Sequence, residues 1–186
     1  MLASVQLITT RLLLRDFREE DSLRVREYRS DARYLRYYPE EECREEDALR
    51  FVGLVMAWAG EAPRSKFQLA IVRASDDLLI GNCGIRVTSG ADREAEFGCE
   101  LDPREWGQGF ATEAGREIIG YAFATLAIHR IWSRTIAENR SAAMLAERLG
   151  MRQEGRFRES SWMRGRWWDN IIYAVLEQEW HGKSRG

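Results

Sequence analysis

The sequence predicts an α/β (α+β) fold, a sheet whose two faces are both covered by helices. Two observations carry this. Several strand-like runs precede a long amphipathic helix, and strand and helix patterns then alternate towards the C-terminus. That helix also starts straight after a strand and a turn holding Gly107 and Gly109. At 186 residues the chain can bury one sizeable core, so residues 1–186 are expected to form a single domain.

The elements follow in order. Leu12 and Leu14 alternate with Leu13 and Arg15 as a first strand. Residues 19–29 carry charges around Leu23, Val25 and Tyr28, which reads as a surface helix. Residues 33–38 are aromatic and irregular, and Pro39 stops any helix there. Glu45 to Ala59 is a second helix, with Leu49, Val52, Val55, Met56 and Ala59 on one face. Phe67 to Val72 and Leu78 to Val87 form a hairpin about Ser75-Asp76-Asp77. Glu94 to Leu101 is the next strand, and the long helix runs from Phe110 to Leu126. Arg130 to Ala137 is a strand, and Ser141 to Leu149 is a helix closed by Gly150. Met151 to Ser160 and Trp167 to Glu177 complete the sheet as antiparallel strands.

Composition excludes several classes. No window approaches the run of about 18 apolar residues that spans a bilayer, so no membrane association is expected. The N-terminus shows neither a basic start nor a long apolar run, which points to a cytoplasmic location. A net charge of −2 argues against general nucleic-acid binding. Cys43, Cys83 and Cys99 are odd in number and far apart, and His129 and His181 are isolated, so no metal is expected.

The stretch most suggestive of chemistry is Arg104-Glu105-Trp106-Gly107-Gln108-Gly109-Phe110-Ala111-Thr112-Glu113-Ala114. Strand, glycine turn and helix N-terminus together make an anion site, because glycine lets backbone approach a ligand and the first helical N–H groups are free. A P-loop would need Lys and Ser or Thr where Phe110 and Ala111 stand. A dinucleotide fingerprint would need a third glycine where Thr112 stands. Arg104, Gly107 and Gly109 instead spell Arg-x-x-Gly-x-Gly.

That motif resembles the pyrophosphate site of the GNAT superfamily of N-acetyltransferases, and Trp106 to Ala114 resembles its RimJ/RimL-like branch. Thr10 to Arg15, Leu79 to Gly84, Asn139 to Ser141, Leu149 to Met151 and Trp168 to Asn170 are similar to further segments of that branch, in order. The resemblance implies a GNAT-type mixed, mostly antiparallel sheet in which the family's fourth and fifth strands splay apart. Here these are residues 94–101 and 130–137. It implies acetyl-CoA as cosubstrate, its pantetheine arm bound by main-chain groups of Leu101 and its phosphates by Arg104, Gly107, Gln108, Gly109, Phe110, Ala111 and Thr112. Arg104 fits a loop-fixing role as well. Asn139 and Ser141 would contact the pantetheine arm, with the Ser141 hydroxyl near the sulfur as a proton donor. Asn139 equally suits helix capping.

Transfer of acetyl to an amine needs a free amine, a polarised carbonyl and a tolerated thiolate. Glu96 and Glu100 alternate on one strand face and are the candidate bases, although both also suit a solvated strand face. Many family members carry a tyrosine acid on the helix after Asn139, where Ala146 stands, which favours Ser141 or solvent as the acid. Cys99 lacks a base partner, so direct attack in a ternary complex is expected. Tyr37, Tyr38 and Trp168 are candidates for the acceptor pocket. The resemblance implies a protein N-terminus, such as that of a ribosomal protein, or a small amine as acceptor, and allows a homodimer through Trp180 and the last strand. A catalytically inactive CoA-binding regulatory module is the alternative.

Overall fold

The computed structural model describes residues 4–39, 45–88 and 93–183. The sheet runs in the order β1 (Gln6–Ile8), β2 (Leu12–Arg15), β3 (Lys66–Arg73), β4 (Leu78–Val87), β5 (Glu94–Leu101), β6 (Arg130–Ile136), β8 (Arg166–Leu176) and β7 (Arg152–Met163). All neighbours pair antiparallel except β5 and β6, which run parallel. β3 and β4 are buried along most of their length, as central strands covered on both faces are, with Gln68 and Asn82 buried among their apolar residues.

Helices cover both faces. On one side α4 (Phe110–Thr125) and α5 (Arg140–Arg148) enclose the larger core, built on Ile85, Phe97, Ile118, Ile119, Ile131 and Leu149. On the other, α1 (Asp21–Arg29), the single turn α2 (Ala32–Leu35) and α3 (Glu45–Ala59) enclose Val25, Tyr28, Tyr34, Val52 and Val55. The chain ends in α6 (Glu177–Lys183). Among the described residues no helix is long and apolar enough to cross a membrane.

Several expectations are corrected in detail. Leu49 and Met56 are 62% and 39% exposed, and α3 buries Ala48 with Val52 and Val55 instead. Residues 32–35 form a helical turn, capped by the Asp31 carboxylate accepting from the Arg33 N–H at 2.8 Å. β1 and α6, both short, lack an apolar rhythm to announce them. Apart from these corrections, Trp180 is half-buried and packs on Phe123 at 6.0 Å between rings. Cys43 lies outside the described residues.

What positions the site is the parting of β5 from β6. The two strands pair only at Glu94–Arg130, Ala95–Ile131 and Glu96–Trp132. The Arg93 carbonyl, accepting from the N–H groups of His129 and Arg130, fastens this root. Beyond it β5 stays on β4 to Leu101, while β6 follows β8 to Ile136. The sheet therefore opens into a V.

Candidate active site

A cleft of about 1150 Å³ fills the V. One bank is the loop after β5. Asp102, fully buried, caps the 3-10 turn Pro103–Glu105 by accepting from the Arg104 N–H at 2.9 Å, and Arg24 holds its carboxylate. Burial works against that charge, but the Arg104 and Arg24 contacts outweigh it and keep the Asp102 pKa below the usual value. Gly107 and Gly109 then take φ of +80° and +84°, a region that L side chains seldom occupy. Gly109 caps α4 without a side chain. Phe110 sends its ring into the core, so its main chain is what remains for the cleft, beside Ala111 and Thr112. First-turn amides and the positive end of the helix dipole stand at this bank.

The expected loop residues divide. Gly107, Gly109, Phe110, Ala111 and Thr112 line the cleft. Arg104 does not, because Asp102 and Glu27 hold its guanidinium at 2.9 and 2.8 Å. Gln108 turns away as well, donating to Glu105 at 3.1 Å while its carbonyl accepts from Arg11. Glu113 receives Thr9 and Arg11, which ties the β1–β2 turn to α4. Leu101 reaches the cleft, but its carbonyl already accepts from the Trp106 indole N–H at 3.0 Å.

The opposite bank is the start of α5. Asn139 caps the helix, its side-chain oxygen accepting from the Ala142 N–H at 3.2 Å, and Asn139 and Ser141 both line the cleft. Met144, Leu145 and Arg148 continue the same wall at helical spacing. Ala146 is 5% exposed in the core. An acid placed at position 146 would thus be buried on the wrong side of α5.

The floor is Glu100. Its carboxylate accepts from the Tyr28 hydroxyl at 2.7 Å, from Arg29 at 2.6 Å, and from Tyr34 and Asn82. Burial disfavours its charge, yet Arg29 and the tyrosine hydrogen bonds outweigh burial and hold its pKa below the usual value. Tyr28 and Tyr34 are pushed well above theirs by burial and by the Glu100 charge. Cys99 also lines the cleft, and burial, then Glu100, pushes its thiol up to about 12. Such a thiol stays protonated at neutral pH and is a poor nucleophile.

Glu96 is not brought into the cleft. It sits at the paired root of the V, with its carboxylate on the Arg86 guanidinium at 3.3 Å. Tyr34, Tyr37 and Tyr38 do line it, Tyr34 and Tyr38 stacked at 4.4 Å. The Tyr37 hydroxyl donates to the Glu138 carbonyl at 3.0 Å, so the α2 segment is anchored to the end of β6. Trp168 stands one layer back, edge-on to Tyr37 at 6.1 Å, with its indole N–H on the Met163 carbonyl. Among the described residues no group of His, Cys, Asp and Glu is placed to hold a metal.

Sequence reasoning missed Tyr28, Arg29 and Asn82 around Glu100, and no local pattern marks them. It also missed Arg36, Met144 and Arg148, of which the last two were accessible by stepping along the helix from Ser141.

Comparison with known proteins accords with this geometry. Residues 11–152 match the family model described as an acetyltransferase (GNAT) domain. The chain is 32% identical over 177 residues to the uncharacterized N-acetyltransferase YnaD of Bacillus subtilis (strain 168), covering 95% of this chain and 100% of that one. It is 26% identical over 181 residues to the ribosomal protein uS5-alanine N-acetyltransferase of Escherichia coli (strain K12), covering 95% and 93%. The crystal structure of spermidine N-acetyltransferase from Vibrio cholerae, in complex with CoA and spermine, shares the fold with a TM-score of 0.78 at 21% identity, over 93% of this chain and 99% of that one. The chain belongs to the GNAT family of acetyltransferases and is an N-acetyltransferase.

Proposed function

We propose that residues 1–186 act as one unit that transfers the acetyl group of acetyl-CoA to a primary amine, by direct attack in a ternary complex. The observation that carries this is the V between β5 and β6, with the glycine loop and the N-terminus of α4, which no side chain caps, on one bank. The pyrophosphate is received by main-chain N–H groups from Gly107 to Thr112, while Arg104 and Gln108 hold the loop in shape. The pantetheine arm lies in the V as an added strand beside Leu101, with Asn139 on its other side.

In the reaction the amine nitrogen bonds to the thioester carbon, the carbon–sulfur bond breaks, and the sulfur takes up a proton. Ser141, exposed on the wall of the cleft, relays that proton, giving its hydroxyl hydrogen to the sulfur as it takes one from cleft water. Glu100 acts as a positioning residue. A carboxylate with a lowered pKa and donors on both oxygens is a weak base, so the proton lost by the amine passes to water. Tyr37 and Tyr38 border the acceptor, with Trp168 supporting Tyr37. The Escherichia coli relative named above acts on a ribosomal protein, so a protein N-terminus and a small amine are both acceptors to assay.

The test is a thermal-shift titration with acetyl-CoA, CoA, NAD and ATP, repeated on Gly109→Trp. Ligand binding stabilises the native state by about 2.7 kcal/mol at one hundred times Kd. Both CoA forms should raise the melting temperature of the native chain and leave the variant unmoved. Stabilisation by NAD or ATP alone would overturn the reading.

A further inference from the structure

The two helical layers divide the cleft. The glycine loop and α5 approach from the layer of the larger core. Arg33 to Tyr38 approach from the layer of the smaller core, on the other face of the sheet. With acetyl-CoA on the first side, as proposed above and as this inference requires, the acceptor enters from the second.

Charge on that second side has a definite sign. Three carboxylates line the cleft among the described residues, and each already faces a cation. Glu100 has Arg29, Glu105 has Arg73, and Glu138 has Arg166, at 2.6, 2.7 and 2.8 Å. The acidic run Glu40–Glu42 lies outside the described residues. Among the described residues four arginines line the cleft. Arg33 is paired with Asp31, whereas Arg36, Arg140 and Arg148 face no carboxylate at ion-pair distance among the described residues. Arg140 and Arg148 belong to α5, on the cofactor side. Arg36 belongs to the acceptor side, its guanidinium over the Tyr37 ring at 5.3 Å from the centroid.

A polyamine entering there would bring two or more positive charges to a wall that shows, among the described residues, no carboxylate without a cation and one guanidinium without a carboxylate. An amine bearing its own carboxylate would meet the opposite situation, since guanidinium binds carboxylate through paired N–H donors. We infer that the acceptor is a primary amine carrying a carboxylate, bound through Arg36 and walled by Tyr34, Tyr37 and Tyr38. Free amino acids and peptides with an acidic residue beside the N-terminus share this chemistry.

The experiment measures kcat/KM with acetyl-CoA for free amino acids, for the matching amino-acid amides, for neutral and acidic peptide amides, and for spermidine. The expected result is a preference for the acid over its amide, or for the acidic peptide over the neutral one. In Arg36→Ala that ratio falls about tenfold through KM, as loss of a charge-assisted contact implies. Arg36→Lys restores part of it. Which arm responds tells amino acid from peptide. Spermidine as the best acceptor, no turnover of any carboxylate-bearing amine, or a ratio unchanged in Arg36→Ala overturns the inference. An acetyl-CoA thermal shift on each protein separates the two failures: with the shift present only the acceptor assignment falls, and with it absent in the native chain the proposed function falls too.

Discussion

The two sides of the cleft are built on different principles. The cofactor side is a main-chain device: one continuous stretch, with Gly107 and Gly109 in left-handed conformation, exposes the amides of a helix terminus. The acceptor side is a side-chain device, in which residues 28, 29, 34 and 82 converge on a single carboxylate, that of Glu100. A main-chain site tolerates most side-chain changes outside its glycines. A side-chain site built around one charge depends on that charge keeping its partner.

The sharpest way to break this contrast is Arg29→Met, which leaves Glu100 without its cation. Removing one member of a buried pair costs about 3–5 kcal/mol. For a chain of this length that lowers the melting temperature on the order of 10 °C. Replacing both members, as Arg29→Met with Glu100→Leu, should recover most of the loss, because no charge is then buried alone. Thermal or urea melts of the three proteins measure it. Below its melting point the single variant should still be stabilised by acetyl-CoA; loss of that response would show that the two sides are not separable.

The same carboxylate sets an acid limit. The Glu100 pKa is lower in the folded chain than the ordinary 4.5, so its charge adds stability at pH values above that figure. The contribution is lost as pH falls through 4.5 towards the lower folded-state value. Melting temperatures followed from neutrality into that range should decline more steeply for the native chain than for Glu100→Gln. Equal slopes would mean that Glu100 does not carry the linkage.

This division also explains what could be read without the fold. The loop from Arg104 to Thr112 was legible because its ligand-facing parts are neighbours in sequence and its glycines mark backbone that other residues resist. Most of the strands and the long helices were legible from period alone, including the end of Glu45–Ala59 at Ala59. The buried face of that helix was not. Leu49 and Met56 are large and well spaced, but the sheet beneath has room for Ala48, so tertiary packing overrode the apolar pattern. Glu96 and Glu100 are equivalent by alternation, and only the root of the V separates them, pairing one with β6 and opening the other to the cleft. The Glu100 partners lie up to 72 positions away along the chain, and no local signal reaches that far.

The smallest expected effect sharpens the contrast at Asn139, where both principles meet in one side chain. Its oxygen caps α5 by accepting from the Ala142 N–H, which leaves its amide N–H groups for the cleft. Asn139→Ala should cost about 1 kcal/mol, the usual value of a lost cap. Asn139→Asp keeps an oxygen acceptor and a favourable charge at a helix N-terminus, so its melting temperature should match that of the native chain. It removes the amide donor, however, and sets a carboxylate against the pantetheine arm. A raised KM for acetyl-CoA in Asn139→Asp, at unchanged stability, would separate cofactor contact from capping. An unchanged KM would assign Asn139 to the helix alone and leave cofactor recognition on that bank to Ser141 and the residues that follow it along α5.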